Sequence, residues 1–302
     1  MKKLGIVLDY LNPDTESITF YDGSILRKAT LDEIDKVKLH LDPLLKSVDM
    51  MSIFEHTRNI KDGVQVASYI EDKTKWNYWV VDFSDNIYAY KRIFPFYLAN
   101  PQLKIGYILS VDKKRFGLKS FKWSYIILNQ MIHYGVIDID RKFIEFVNTV
   151  QKSLSVFDKE EYPFISRALE DYIDLNMIPM STYFRVIGQF AILENLLTEP
   201  GNRSNTINGQ LQSKINLLNN RFHNRLEILS YIKGPDNLTL EKVIEKLYTF
   251  RSNIAHGNGL DNPKTEILSY PSKTRGLIRD ILSRVILQSL IEPSLIRDLR
   301  KC

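Results

Sequence analysis

The spacing of apolar residues changes near Lys119, and this change constrains the fold more than any other feature of the sequence. Before it, short apolar runs of β type are broken by turn dipeptides such as Asn12-Pro13 and Asp22-Gly23. After it, apolar residues recur at helical spacing. We therefore predict an α+β N-terminal domain followed by an all-α helical bundle.

The predicted elements divide the chain into three parts. We expect an α+β domain over 1–115, a helical connector over 116–159 and a helical domain over 160–302. The first domain is expected to have a sensing or regulatory role, because it shows no catalytic motif of its own.

Individual elements follow from local patterns. In the first domain, Thr30 and Glu33 match a capping box and predict a helix over 34–45. The connector is predicted to hold helices over 121–134 and 141–157, with a turn at 138–140 between them. Strands are predicted at 4–8, 17–21, 76–83, 87–90 and 103–111.

Arg251 occupies an apolar stripe near the end of a predicted helix. At helical spacing it falls among Ile244, Leu247, Tyr248, Ile254 and Ala255. A permanently charged guanidinium in such a stripe needs a buried partner or a ligand. His256 follows in the last turn, and Gly257 is the residue type that most easily ends a helix, so the imidazole should reach outward.

Glu194 is a charge of opposite sign in the stripe of an earlier helix. Its neighbours at helical spacing are Ile187, Phe190, Ala191, Leu193 and Leu197. We expect the two helices to pack with Glu194 against Arg251, since either charge buried alone would be costly. Two interpretations stay open, a purely structural ion pair and a functional site that also uses His256 and Asn253.

The segment from 180 to 290 resembles a HEPN domain and is most similar to the Apea-type HEPN group. The resemblance rests on the helix core 191–194, a polar loop over 200–208 and a long second helix over 210–232. It rests most on the residues that end the following helix, which are Tyr248, Arg251, Ser252, Ile254, His256 and Gly257.

The resemblance implies an all-α HEPN-like helical bundle that acts as a metal-independent endoribonuclease. In that family the site is composite and lies across a two-fold homodimer, so Arg251 and His256 would be catalytic. Family members commonly carry Asn, Asp or His directly after the arginine, whereas this chain has Ser252 and then Asn253. Either of these two could fill the supporting role beside Glu194.

The chemistry of these residue types suits RNA cleavage. A histidine can transfer the protons when the ribose 2′-hydroxyl attacks the neighbouring phosphorus, and a guanidinium can stabilise the charge on the phosphate oxygens. The expected products are a 2′,3′-cyclic phosphate and a 5′-hydroxyl. By the resemblance, the protein would be a prokaryotic anti-phage or toxin-like effector, and an antitoxin or regulatory partner stays an open alternative.

A non-catalytic role is the alternative. In that case the helical domain is a HEPN-like dimerisation or RNA-binding module, and Arg251 and Glu194 only hold the fold.

Basic residues supply candidate RNA contacts, compatible with the formal net charge of +5. Each group could equally be a solvated helix face. The first group, on the predicted second helix, is Lys214, Arg221, His223 and Arg225. The second group, on the following helix, is Lys273, Arg275, Arg279 and Arg284.

The composition argues against several other classes of protein. The only cysteine is Cys302, which leaves no disulfide framework and no cysteine metal cluster and is typical of a reducing compartment. We find no phosphate-binding glycine loop and no Gly-x-Ser-x-Gly motif. No apolar stretch is long enough to span a membrane. We expect a cytoplasmic protein without a cofactor, a metal or a membrane partner.

Overall fold

A computed structural model describes most of the chain, which divides into two compact units, Met1–Lys152 and Ser153–Cys302. Two predicted elements, the strand at 87–90 and the helix at 121–134, lie outside the described residues. The described residues are 2–47, 53–61, 64–83, 92–100, 102–111, 136–176, 178, 182–199, 206–222, 224–228, 231–232, 238–258 and 271–302.

The first unit is built on a five-stranded antiparallel sheet with the strand order β3-β4-β7-β1-β8. The unit also contains two separate two-stranded sheets, in which β2 pairs in parallel with β9 and β5 pairs antiparallel with β6. The strands are β1 (Lys2–Val7), β2 (Tyr10–Pro13), β3 (Ser17–Thr19), β4 (Ile25–Lys28), β5 (His56–Lys61), β6 (Val64–Tyr69), β7 (Trp79–Asp82), β8 (Ile105–Val111) and β9 (Val136–Ile139).

The strand β7 lies at the centre of the sheet and is buried along its whole length. On one side of the sheet, β1 and the helix α1 (Leu31–Ser47) enclose an aromatic core. Its members pack because they are large and apolar and bury much surface per residue. This core contains Ile6, Leu8, Ile34, Val37, Phe54, Trp76 and Tyr78.

The capping box at the start of α1 is confirmed. The backbone N–H of Thr30 donates to Oε2 of Glu33 at 2.9 Å, and the N–H of Glu33 donates to Oγ1 of Thr30 at 3.3 Å. Arg27 on β4 also donates to both carboxylate oxygens of Glu33, at 2.8 and 2.7 Å. The same carboxylate therefore begins the helix and ties it to the sheet.

The turn predicted at 138–140 is wrong, because residues Val136–Ile139 form β9. This strand pairs in parallel with β2, with Leu11 opposite Ile137. The helix predicted at 141–157 is confirmed as α3 (Arg141–Val156). Within the first unit, Asn148 on α3 accepts a hydrogen bond from the N–H of Tyr21 at 2.8 Å. The first unit accordingly extends past residue 115, to Lys152.

The second unit is helical, so the chain is α+β and then α, as the sequence predicts. The central helix α5 contacts α4, α6, α7, α8 and α9, which explains why Phe190, Leu193 and Leu196 are fully enclosed. The helices are α4 (Pro163–Leu175), α5 (Tyr183–Leu197), α6 (Ile207–Asn219), α7 (Leu240–Ala255), α8 (Pro271–Ile291) and α9 (Pro293–Lys301), and the first unit also contains α2 (Phe94–Ala99).

The long helix predicted over 210–232 is shorter than expected, because α6 ends at Asn219. The Asn219 side chain accepts a hydrogen bond from the backbone N–H of Leu226 at 2.8 Å. Asparagine side chains compete with helical hydrogen bonds in this way and favour turns. Among the described helices, none combines the length and the apolar character needed to cross a bilayer.

Candidate functional site

The candidate site lies at the C-terminal end of α7, where one face of the helix is buried. Arg251 lies on the flank of this face rather than at its centre, and Ala255, which was expected in the same stripe, is exposed. The guanidinium carbon of Arg251 lies 5.5 Å from the centroid of the Tyr248 ring. The buried face itself consists of Leu240, Val243, Ile244, Leu247, Phe250 and Asn253.

The expected pair between Arg251 and Glu194 is present. Nη2 of Arg251 lies 3.4 Å from Oε1 of Glu194, with 24% of the arginine side chain and 20% of the glutamate side chain exposed. The contact is within ion-pair distance but lacks the geometry of a hydrogen bond, and neither Oε1 of Glu194 nor Nε of Arg251 has a hydrogen-bond partner among the described residues. The two charges are therefore close but loosely held.

Burial dominates the electrostatics of Glu194. It raises the pKa of the carboxyl group above its usual value, and the nearby charge of Arg251 lowers the pKa only in part. Tyr248 responds in the same direction, since burial and the charge of Glu194 raise the pKa of its hydroxyl group. A fully formed two-point contact with Arg251 would favour the ionised carboxylate much more strongly.

The two residues after Arg251 differ in their surroundings. Asn253 is 7% exposed and continues the buried face of α7. Its Nδ2 atom is buried without a hydrogen-bond partner among the described residues. Ser252 is half-buried, and its carbonyl oxygen accepts the backbone N–H of His256 at 3.0 Å. Of the two, Asn253 is the one with an unused buried donor.

His256 ends the helix and is exposed. Gly257 follows with a φ of 67°, in the left-handed region that glycine adopts without strain, so the chain leaves the helix there as predicted. Five residues advance a helix by about 7.5 Å and turn it by about 140°. Arg251 and His256 therefore leave the axis of one α7 helix in clearly different directions.

No protein-family model, curated protein or solved structure matches the chain. The resemblance to HEPN domains therefore rests on the residues described above. Among the described residues, no cluster of three or more His, Cys, Asp or Glu side chains could hold a metal ion.

Lys214 is corrected as a candidate RNA contact, because the structure places it in the interior at 5% exposure. Its Nζ atom donates to the carbonyl oxygen of Leu197 at 2.9 Å and to Oε1 of Gln210 at 3.1 Å. Burial lowers the pKa of this ammonium group. Cations commonly stabilise the carbonyl groups at the C-terminal end of a helix, and Lys214 lies next to the last carbonyl groups of α5. Lys214 therefore has a structural role.

The other basic candidates differ in how far their charge is already neutralised. Arg221 donates to both carboxylate oxygens of Glu292, at 2.9 and 2.5 Å. Arg279 on α8 bonds Asp280 at 3.2 Å. Arg225 is exposed after the end of α6, and Arg275 is half-buried on α8. His223 lies outside the described residues. The structure thus does not bring the first group together on one helix face.

A buried arginine is the main feature that the sequence patterns did not indicate. Arg185 on α5 is 5% exposed, and it donates to the carbonyl oxygen of Ile178 at 2.6 Å and to Oδ1 of Asn176 at 2.5 Å. Burial lowers its pKa to about 10, and Arg279 adds to the effect. No carboxylate forms an ion pair with it among the described residues. Arg185 therefore binds polar groups in the segment that follows the end of α4.

A polar groove lies at the other end of α7 from the candidate site. It has a volume of about 490 Å³ and contains no basic side chain, so it is separate from Arg251 and His256. It is lined by Gly209, Gln212, Ser213, Asn216, Leu217, Asn220 and Glu241.

Proposed function

We propose that the protein is a metal-independent endoribonuclease of HEPN type, with Arg251 and His256 as its catalytic residues. The observation that carries the proposal is the state of the polar groups at the end of α7. An exposed histidine follows an arginine that its carboxylate partner holds without a hydrogen bond, and Glu194, Arg251 and Asn253 each have a buried polar atom that no other described residue pairs with. Such atoms are costly in a purely structural cluster and are commonly found at functional sites.

The reaction requires two proton transfers. The ribose 2′-oxygen forms a bond with phosphorus as its proton passes to a base, and the bond from phosphorus to the 5′-oxygen breaks as that oxygen receives a proton from an acid. Histidine can serve in either role near neutral pH. Arg251 would contact the non-bridging oxygens, where negative charge develops. The products are a 2′,3′-cyclic phosphate and a 5′-hydroxyl.

A homodimer gives this chemistry the groups it needs. One copy supplies a single His256, and its side chain leaves α7 in a direction different from that of Arg251. Two copies related by a two-fold axis would bring two imidazoles and two guanidinium groups to one cleft, so that one histidine accepts a proton and the other donates one.

Glu194 would position Arg251 in this site. The carboxylate is close enough to orient the guanidinium electrostatically, and because no described residue accepts a hydrogen bond from Arg251, the terminal guanidinium nitrogens would contact a phosphate. Asn253 points in a direction about 200° from that of Arg251 around α7, so its buried amide donor lies on the packed face of the helix and not beside the guanidinium.

The alternative is a non-catalytic HEPN-like module for dimerisation or RNA binding. One observation favours it, namely that three quarters of the Arg251 side chain is covered where α5 and α7 pack. An ion pair in that position also serves the fold.

Cleavage of total RNA in EDTA tests the proposal. We expect the purified wild-type protein to cleave RNA in the chelator and to leave cyclic phosphate ends, whereas His256→Ala should abolish cleavage. His256 is exposed, so this substitution should change the free energy of unfolding by no more than about 0.5 kcal/mol. Strict dependence of the cleavage on magnesium would contradict the proposed mechanism.

The biological role follows from the same proposal. A ribonuclease of this kind would act as an anti-phage or toxin-like effector in the cytoplasm, restrained by an antitoxin or by the N-terminal unit. Expression of the wild-type chain should then slow growth, and expression of His256→Ala should not. Equal growth with both chains would argue against this role.

A further inference from the structure

An unusually exposed aromatic residue begins α5. Phe184 is 76% exposed, more than any other aromatic side chain in the described part of the chain. Its neighbour Tyr183 packs edge-on against Phe250, with 6.3 Å between the ring centroids. Successive residues point in directions about 100° apart on a helix, so Phe184 cannot pack beside Tyr183. The phenylalanine ring of Phe184 is therefore exposed to water in the first turn of this helix.

A cation lies next to the ring of Tyr183, the residue that precedes Phe184. The guanidinium carbon of Arg275, on α8, is 5.7 Å from the centroid of the Tyr183 ring. Among the described residues, neither a carboxylate nor another hydrogen-bond acceptor pairs with Arg275. The aromatic ring thus holds the guanidinium in place by a cation–π contact and leaves its N–H donors available.

This surface adjoins the candidate site through the packing of α5 on α7. Tyr183 contacts Phe250, which directly precedes Arg251 in α7. Glu194, which pairs with Arg251, lies about 16 Å further along α5 than Tyr183, so the exposed ring and the cation lie on the same two packed helices as the proposed catalytic arginine but at a distance from its guanidinium group.

We propose that Phe184, Tyr183 and Arg275 form a subsite for single-stranded RNA, in which Phe184 stacks on an unpaired base and Arg275 contacts a neighbouring phosphate. This subsite rests on the proposed ribonuclease function and would hold a nucleotide of the cleaved strand at a distance from the cleaved bond. The exposed ring of Phe184 follows the tyrosine that holds the Arg275 guanidinium, and this combination offers a surface for the flat base and a charge for the phosphate of a nucleotide. In a duplex the bases are stacked on one another, so Phe184 would select unpaired strands.

The test measures binding of a strand that cannot be cleaved. A fluorescein-labelled 2′-O-methyl RNA oligonucleotide lacks the attacking hydroxyl, and its anisotropy reports affinity whether or not the protein is a nuclease. We expect Phe184→Leu and Phe184→Ala to weaken binding by about 5- to 150-fold, the range for loss of one stacked base. Arg275→Gln should reduce the slope of log K against log salt by about 0.7, the value for one phosphate contact on a single strand.

Tyr21→Ala is the matched control, because Tyr21 is an aromatic residue that is 57% exposed in the first unit. It should bind like the wild type. A duplex of the same sequence should bind the wild type and Phe184→Leu equally.

Three results would overturn the subsite. The first is that the wild-type protein does not bind the strand. The second is that Phe184→Leu binds it as tightly as the wild type. The third is that Phe184→Leu loses binding only in proportion to a loss of dimer, which light scattering measures. The last result would assign Phe184 to an interface between two copies. If the protein cleaves RNA but Phe184→Leu binds the strand as tightly as the wild type, the subsite is wrong and the ribonuclease proposal stands. If binding depends on Phe184 but no cleavage occurs, the ribonuclease proposal is wrong and the subsite stands.

Discussion

Nη2 of Arg251 lies 3.4 Å from Oε1 of Glu194, yet the two groups share no hydrogen bond. The pair joins α5 to α7, and its burial raises the pKa of the carboxyl group more than the arginine lowers it. The ionised form of Glu194 is therefore under-stabilised in the folded protein. Among the described residues no acceptor takes a hydrogen bond from Arg251, so its charge would serve another anion if the proposed phosphate-binding role holds.

The pH dependence of stability should report this imbalance. Because the pKa of Glu194 is higher in the folded state than in the unfolded state, the folded protein binds more protons between the two values. Its contribution to stability is therefore most favourable at low pH and becomes less favourable as pH rises through that window. Glu194→Gln cannot titrate, so the free energy of unfolding of wild type minus that of Glu194→Gln should fall as pH rises.

Urea denaturation followed by circular dichroism, at several values between about pH 4 and pH 7, measures this difference. The helical signal is the suitable probe because Glu194 lies in the helical unit. A difference that grows with pH would mean that Arg251 stabilises the carboxylate more strongly than burial destabilises it, and the pair would then be a conventional ion pair.

Replacement of Arg251 by lysine separates its charge from its geometry. Arg251→Lys keeps a positive charge near Glu194 but loses the planar fork that contacts two phosphate oxygens. We expect cleavage in EDTA to fall by about 100-fold or more, the usual result of losing a group that stabilises transition-state charge. The free energy of unfolding should fall by no more than about 1 kcal/mol, since a fifth or more of each side chain is exposed.

Arg251→Ala is the comparison variant. Its free energy of unfolding should fall by about 1–3 kcal/mol, because the substitution leaves Glu194 without its nearby cation. If lysine restored full cleavage, a charge without the guanidinium geometry would be sufficient, and Arg251 would not grip the phosphate.

Lys214→Met should affect stability and not RNA binding. The substitution removes the donor to the carbonyl oxygen of Leu197 in the interior, at a cost of about 1–3 kcal/mol. RNA affinity at a temperature where the variant is fully folded should equal that of the wild type. Arg225→Gln is the matched control, because Arg225 is an exposed cation close to the end of α6, and its stability should stay within about 0.5 kcal/mol. A weaker RNA complex with folded Lys214→Met would return Lys214 to the binding surface.

The fold class could be predicted because it depends on local spacing, and the errors arise where distant residues decide. The capping box at Thr30 and the glycine after His256 act within one helical turn, and both are confirmed. The strand β9 was not predicted because only its pairing with β2, more than a hundred residues earlier, makes Val136–Ile139 extended. Acidic residues at 138 and 140 favour a turn when read alone.

The candidate site shows the same division. The pairing of Glu194 with Arg251 could be predicted, since each charge interrupts an apolar stripe and opposite charges attract. The interior positions of Lys214 and Arg185 could not, because each cation donates to one backbone carbonyl oxygen and one side-chain amide oxygen, and no charge pattern in the sequence reveals such partners. Phe184 carried a usable signal, as two adjacent aromatic residues on a helix cannot both face one core.

The contact of Glu33 with Arg27 should contribute more to the first unit than the cap itself. Thr30→Ala removes one hydroxyl acceptor and should lower the free energy of unfolding by about 1 kcal/mol. Glu33→Gln can still accept the N–H of Thr30, since glutamine also serves in a capping box, but it loses the charged two-point contact with Arg27, whose exposure is 20%. We expect a loss of about 2 kcal/mol or more for Glu33→Gln.

Tryptophan fluorescence measures the free energy of unfolding of the first unit, because all three tryptophans precede residue 152. Thr15→Ala, which removes an exposed hydroxyl in the same unit, is the control and should be neutral. A smaller loss for Glu33→Gln than for Thr30→Ala would show that the helix start, and not the link to the sheet, is what Glu33 stabilises.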